Sequence, residues 1–103
     1  MLARVKLAKR IQTTVFDEEL LDLIAAAIAD IQHAGIRFAF YTVKSNGVVT
    51  DYTITDPLIS RAVVTYCVMN FGSPDDYDRL KASYDEQKGQ LRESFGYGLE
   101  VVE

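Results

Sequence analysis

Apolar residues recur at steps of three and four along several stretches of the chain, which is the spacing of one helix face. The clearest stretch covers residues 17–34, where a following glycine supplies a left-handed stop. Asp17 suits the N-cap of this helix, because Phe16 and Leu21 occupy the positions of a hydrophobic staple. Residues 2–12, in which apolar and basic residues interleave, predict a shorter amphipathic helix before it.

Two further helices are predicted where a capping residue precedes a proline. Asp56-Pro57 gives an N-cap with proline at the first helical position, and the apolar residues that follow should form the third helix. Because Arg61 is its one charged residue, we expect this helix to be central and the most buried. Ser73-Pro74 repeats the start signal for a fourth, long helix, whose apolar stripe consists of Tyr77, Leu80, Tyr84, Leu91 and Phe95.

Between residues 36 and 55 the composition changes to aromatic and β-branched residues, which favour strands. Asn46-Gly47 is the sequence of a type I′ turn, so the segment predicts a β-hairpin or an extended arm between the second and third helices. A two-stranded hairpin is marginally stable by itself in water. We therefore expect this one to lie on the helices or against another chain.

Together these elements predict a mainly α protein, a small four-helix bundle-like domain with the hairpin or arm inserted between its second and third helices. At 103 residues the chain can form one hydrophobic core but not two, so residues 1–103 should be a single domain. Its helical core should span residues 1–95, including the hairpin at 36–55. Two glycines then separate a C-terminal tail, residues 96–103, which we expect to be flexible until a partner orders it.

Composition excludes several classes of protein. A hydrophobic fraction of 49% with 25% charged residues is typical of a globular domain. Charged residues interrupt every apolar stretch before it reaches the length that a membrane-spanning helix needs. Basic residues also interrupt the N-terminus, so we expect no secretory signal and a protein that stays inside the cell that makes it. One cysteine permits no internal disulfide, and one histidine gives no zinc-ligand spacing.

Candidate catalytic and metal-binding residues are few. His33 is the one imidazole base and sits near a predicted helix end, where a partly exposed histidine is ordinary, and Cys67 on the apolar third helix is best explained as a small core residue. Asp75, Asp76 and Asp78 could collect a divalent cation, but carboxylates at a helix start already stabilise its dipole. No glycine-rich phosphate loop is present. We expect no enzymatic activity, no cofactor and no metal.

Nucleic-acid binding is the main alternative that the sequence leaves open. Residues 4–10 contain four basic side chains and no acid, whereas the net charge is −4, so the rest of the chain is acidic. The hairpin aromatics could stack on bases, yet only Arg37 and Lys44 flank them. Four charges give a modest electrostatic footprint, so a solvated helix face and hairpin packing explain these residues better.

The order of the segments resembles a known family. The stretch from Phe16 to Ala27, closed by Ala34-Gly35-Ile36, is similar to the first long helix of the head-tail connector (adaptor) proteins of tailed bacteriophages. The stretch from Asp56 to Val63 resembles the start of their central helix. The similarity covers about residues 5–95 and continues through Tyr66, Asn70-Phe71-Gly72, Tyr77-Asp78-Arg79-Leu80, Tyr84-Asp85 and Gln90-Leu91-Arg92.

This resemblance implies a structural virion protein whose copies form a ring, usually a dodecamer, that docks on the portal after DNA packaging. Such a ring extends the channel through which DNA passes without sequence-specific binding, and it is the platform for the next stopper or tail-completion protein. The implied location is the head-tail interface of the virion, with the host cytoplasm during assembly, and no membrane is involved. The alternative is a small phage-derived DNA-associated factor.

Two groups of residues are expected to make the contacts of such a subunit. The tail carries apolar side chains without an evident place in the helical core, and we expect it to bind the portal through Tyr97, Leu99, Val101 and Val102. The hairpin is expected to contact a neighbouring subunit or the channel through Phe38, Phe40, Tyr41, Asn46, Gly47 and Tyr52.

Overall fold

A computed structural model describes residues 1–72 and 74–93 of the chain. In these residues the protein is mainly helical, with one small antiparallel sheet between its second and third helices. The elements, in chain order, are α1 (Leu2–Lys9), α2 (Asp17–His33), β1 (Tyr41–Ser45), β2 (Val48–Thr53), α3 (Pro57–Asn70) and α4 (Tyr77–Glu93).

Helix α3 is the central helix, as its nearly uncharged sequence predicts. It packs against α1, α2 and α4, and its buried face supplies a large share of the core. Each aliphatic side chain that is fully buried there contributes about 1.5–3 kcal/mol to folding. The core of the described residues consists of Val5, Leu20, Ile24, Ala27, Ile28, Ile31, Ile36, Ile59, Ala62, Val63, Cys67, Met69, Tyr84 and Leu91.

The predicted start of α3 is confirmed, whereas that of α2 is wrong in one respect. Asp56 caps α3, since its carboxylate accepts hydrogen bonds from the main-chain N–H groups of Leu58 and Ile59. In α2 the N-cap is Phe16 and not Asp17, which is the first helical residue. The Asp17 carboxylate instead accepts a hydrogen bond of 2.7 Å from Lys6 of α1, so a contact between helices replaces the local cap.

Two helix boundaries differ from the predictions. Helix α1 ends at Lys9 rather than near residue 12, because Arg10 adopts the left-handed conformation with φ 59° and caps it. Helix α4 begins at Tyr77 rather than at Pro74, because Asp75 and Asp76 form a turn before it. The Asp76 carbonyl accepts the first helical hydrogen bond, and its carboxylate pairs with the guanidinium of Arg79.

The hairpin forms with the predicted turn. Asn46 and Gly47 both have positive φ, 53° and 80°, as a type I′ turn requires. The strands pair antiparallel with Tyr41 opposite Thr53 and Ser45 opposite Val48, and a β-bulge interrupts the register after Val43. The hairpin therefore links α2 to α3 along the chain and packs against α2. Its position there determines which of its residues remain accessible.

Candidate functional site

The hairpin has an inner face that lies on α2 and an outer face that is exposed. Side chains alternate along a strand and paired residues share a side, so Thr42 and Tyr52 lie on the inner face together with Phe40. These three residues line a shallow groove with Ala25 and Ile28 of α2 and their neighbours Ala29 and Gln32. The small alanine side chains of α2 leave the space in which the aromatic rings pack.

Three of the predicted contact residues form one aromatic row on this inner side. The ring centroids of Phe38 and Phe40 are 6.0 Å apart, and those of Phe40 and Tyr52 are 6.5 Å apart. All three side chains are partly buried against the core. Aromatic pairs at such distances add about 0.5–1.5 kcal/mol each beyond their buried area. Phe38, Phe40 and Tyr52 therefore hold the hairpin on its own subunit.

The outer face presents three apolar side chains to solvent. Tyr41, Val43 and Val48 are 61%, 44% and 64% exposed, and their register places them on one side of the hairpin. Tyr41 was among the predicted contact residues, whereas Val43 and Val48 were not. The predicted tip residues Asn46 and Gly47 are exposed beside this face. Counting alternate positions back from the turn along β1 finds Val43, and Val48 pairs with Ser45 beside the turn, but along β2 the β-bulge breaks the alternation.

Asp51 ties the base of the hairpin to α1. Its carboxylate accepts hydrogen bonds from the main-chain N–H groups of Leu2 (2.9 Å) and Tyr52 (2.7 Å) and lies 3.3 Å from the Met1 ammonium. The same ammonium donates to the Tyr52 carbonyl at 3.0 Å. Burial raises the pKa of Asp51, but these donors outweigh it and hold the pKa below its ordinary value. The hairpin is thus anchored at its base and open at its tip.

A second polar cluster joins α2 to α4. The Asp30 carboxylate accepts hydrogen bonds from the Tyr84 hydroxyl at 2.6 Å and from the Lys88 ammonium at 3.0 Å. The Lys88 ammonium also lies 4.9 Å from the centre of the Tyr84 ring, and the Tyr66 ring meets that ring edge-on. Burial raises the pKa of Asp30, yet the two donors outweigh this effect and lower it. The Asp30 carboxylate is therefore ionised at neutral pH, and the cluster fixes α4 to α2.

The basic N-terminal segment is partly occupied by contacts within the subunit. Lys6 forms the ion pair with Asp17, and the Lys9 ammonium lies 5.8 Å from the centre of the Phe71 ring. The side chains of Arg4 and Arg10 are exposed. About half of the expected basic patch is therefore accessible to an outside partner.

The described residues contain no group of three or more His, Cys, Asp or Glu side chains that could hold a metal ion. His33 is exposed at the last position of α2, and Cys67 is buried, where burial raises the pKa of its thiol to about 12. Such a thiol is a poor nucleophile at neutral pH. The predicted portal-binding residues Tyr97, Leu99, Val101 and Val102 lie outside the described residues.

The family is decided by comparison of the whole chain with known families. Residues 1–98 match the model of a family described as phage connector protein. The chain belongs to the phage connector family. This membership confirms the family that the order of the helices and their residues suggested. Comparisons with curated proteins and with solved structures gave no match.

Membership in the phage connector family gives the protein a structural role at the connection between phage head and tail. The connector family is in general structural and not enzymatic, and its members are components of the virion that associate with head and tail parts. Among the described residues of this connector, no helix is both long enough and apolar enough to cross a membrane.

Proposed function

We propose that this connector is a ring-forming adaptor that docks on the portal after DNA packaging and extends the DNA channel toward the tail. Its free end then supports the next stopper or tail-completion protein. The observation that carries the proposal is the outer face of the hairpin, where Tyr41, Val43 and Val48 present apolar surface that none of residues 1–72 and 74–93 covers.

The outer face suits a contact between neighbouring copies. A ring is built from heterologous contacts, in which one patch of a subunit meets a different patch of the next. The hairpin projects from the helices, its base is held by Asp51, and its exposed side chains can reach beyond the subunit. In the ring this face contacts the adjacent subunit, with the tip at Asn46 and Gly47 toward that subunit or the channel.

The charge of the subunit suits a conduit for DNA. The net charge is −4, and in the one acid-free basic run, residues 4–10, Lys6 and Lys9 are engaged inside the subunit. Firm binding of duplex DNA depends on concentrated lysine and arginine, which neutralise phosphates. An acidic ring lets DNA pass without being held. The alternative, a DNA-associated factor, would have Arg4 and Arg10 as the exposed basic residues of this N-terminal run.

A pair of matched variants tests the hairpin contact. Val48→Lys places a charge on the outer face, and Leu7→Lys places the same charge on α1, at a side chain that is 78% exposed. Both variants should fold with unchanged circular dichroism, because neither side chain is buried. Val48→Lys should fail to form rings on the cognate portal in electron micrographs, whereas Leu7→Lys should assemble. Equal assembly of both variants would show that the outer face of the hairpin is not part of the interface between subunits.

Hydrogen exchange gives an independent measurement of the same contact. Residues 38–54 should exchange more slowly in the assembled ring than in the free subunit, because the edge and tip amides become covered. Equal protection in both states contradicts the proposal. Binding of duplex DNA to the free subunit, with a steep loss on raising salt at physiological ionic strength, would favour the DNA-associated alternative.

The tail is proposed to contact the portal through Tyr97, Leu99, Val101 and Val102. Its alternating apolar residues could add as a strand to a sheet edge of the partner, where main-chain hydrogen bonds supply affinity. A connector truncated after Phe95 should fold normally but fail to attach to DNA-filled heads, whereas the matched full-length variant Glu103→Gln should attach. Normal attachment of the truncated protein would contradict this proposal and indicate that the helices contact the portal instead.

A further inference from the structure

The groove beside the inner face of the hairpin extends along α2 beyond the aromatic row. The space at the aromatic residues amounts to about 530 Å³. A second space of about 350 Å³ adjoins it, because Ala29 and Gln32 line both, and it reaches His33. We call the combined space, from Ala25 to His33 of α2, the α2 groove. Its alanine side chains are small, and no side chain of residues 1–72 and 74–93 fills it, so another chain can approach the helix closely.

The outer face of the hairpin has the length and shape of an occupant for this groove. From Tyr41 to Ser45, strand β1 is about 13 Å long at about 3.3 Å per residue. From Ala25 to His33, the α2 groove is about 12 Å long at about 1.5 Å per residue. Three exposed side chains cover less than the roughly 800 Å² that each partner buries in a stable interface. Insertion into a groove adds the strand edges to the contact, whereas a flat contact would not.

Each of the two surfaces has one exposed charge of opposite sign near it. Lys44 follows Val43 in β1, close to the turn, and Asp22 lies three positions before Ala25 and so on the neighbouring part of the same helix face. Both residues are exposed, and neither forms an ion pair with a residue that the structure describes. The hairpin and the groove are therefore apolar surfaces with complementary charges, as two surfaces that recognise each other require.

We propose that the outer face of the hairpin of one copy lies in the α2 groove of the next copy, an inference that rests on the proposed ring. The turn points toward the start of α2 of that next copy, so that Lys44 of one copy pairs with Asp22 of the other. Each subunit carries the two surfaces on opposite sides of one hairpin. The contact is therefore head-to-tail and repeats from subunit to subunit, as a ring requires.

Cross-linking between single-site cysteine variants tests the contact between two copies. Val48→Cys is mixed with Ala29→Cys at high concentration and treated with a short bis-maleimide. Cys67 does not compete, because it is buried and its thiol stays protonated. The mixture should give several-fold more covalent dimer than either variant alone. The control mixture of Val48→Cys with Leu7→Cys, a side chain that is 78% exposed on α1, should give no more dimer than its components.

Exchange of the two charges tests their pairing between copies. Lys44→Asp alone and Asp22→Lys alone place like charges at every contact, so rings on the cognate portal should need about fivefold more subunit. An equimolar mixture should assemble like the natural protein, because alternating copies restore opposite charges at every contact. A pair within one subunit would not recover on mixing. Asp78→Lys, at an exposed acid of α4, is the matched control and should not rescue Lys44→Asp.

The outcomes separate this contact from the ring itself. A covalent dimer of Val48→Cys with itself overturns the inference, because two outer faces would then meet. Normal assembly of either charge variant alone, or no recovery in their mixture, also overturns it. Rings that form without the dimer of Val48→Cys and Ala29→Cys leave the ring standing and assign the groove to another occupant, such as the portal. The dimer without any ring would reject the ring and retain the contact between copies.

Discussion

Removing the hydroxyl of Tyr84 tests the cluster that joins α2 to α4. Tyr84→Phe deletes the 2.6 Å hydrogen bond to Asp30 and retains the ring that contacts Tyr66 and Lys88. A hydrogen bond to a charged group contributes about 1.5–3 kcal/mol. Because the Asp30 side chain is 38% exposed, water competes for the carboxylate, and we expect a loss of about 1 kcal/mol. In a domain of this size that loss lowers Tm by about 4–8 °C.

The loss should depend on pH in a defined direction. The pKa of Asp30 is lower in the folded protein than its ordinary value, so its ionised form stabilises the fold. This contribution is present above the unfolded pKa of about 3.9 and disappears as pH falls through the lower, folded value. The difference in the free energy of unfolding between Tyr84→Phe and the natural protein should therefore have its full value at pH 7 and shrink toward pH 2.

Urea unfolding followed by circular dichroism at 222 nm measures both the loss of stability and its dependence on pH. The urea concentration at the midpoint of unfolding should fall at pH 7, whereas the slope of the free energy against urea should not change, because unfolding exposes the same surface in both proteins. Tyr77→Phe is the matched control, since that ring is 40% exposed and lies at the first turn of the same helix. An equal midpoint for Tyr84→Phe and the natural protein at pH 7, or an equal loss at pH 7 and pH 2, would refute the reasoning.

Three further predictions concern the core, the thiol and the hairpin base. Val63→Asp should abolish cooperative unfolding at 25 °C, because the carboxylate would be fully desolvated, whereas Leu7→Asp should change the free energy of unfolding by less than about 0.5 kcal/mol. Cys67 should react with a disulfide reagent at pH 8 at the rate of unfolding, measured by absorbance of the released thiolate, and immediately in denaturant. Asp51→Asn should weaken the anchor of the hairpin and raise amide exchange in β2 at pH 7, while the helices keep their protection. Unchanged exchange in β2 would contradict that role.

The parts of the fold that depend on local chemistry could be predicted from the sequence. Asp56 before Pro57 gives the start of α3, and Asn46-Gly47 gives the turn, because a few adjacent residues determine each conformation. Asp17 shows the limit of this reasoning. It has the neighbours of a capping residue, yet Lys6 of another helix binds its carboxylate, and a contact across the fold is not visible in local spacing.

The two faces of the hairpin could not be told apart from the sequence. Phe38, Phe40 and Tyr52 face α2, where small alanines leave room for them, and their expected contacts with another subunit or the channel stay a prediction. The accessible apolar face also includes Val43 and Val48, beside the bulge. Which side of a hairpin is covered depends on the packing of a remote helix, so composition alone could not separate the two faces.

The anchor between α1 and the hairpin has a consequence for the order of folding. The bond from the Leu2 amide to Asp51 joins positions 49 residues apart, so forming it closes a long loop. The contacts of α3 with α2 and α4 link elements that are nearer in sequence, and we expect them to form first. Substitutions at Asp51 should then accelerate unfolding without slowing folding. The contact of α1 with the hairpin would then be the last to form and the first to break, so that the N-terminal helix joins a fold whose other elements are already packed.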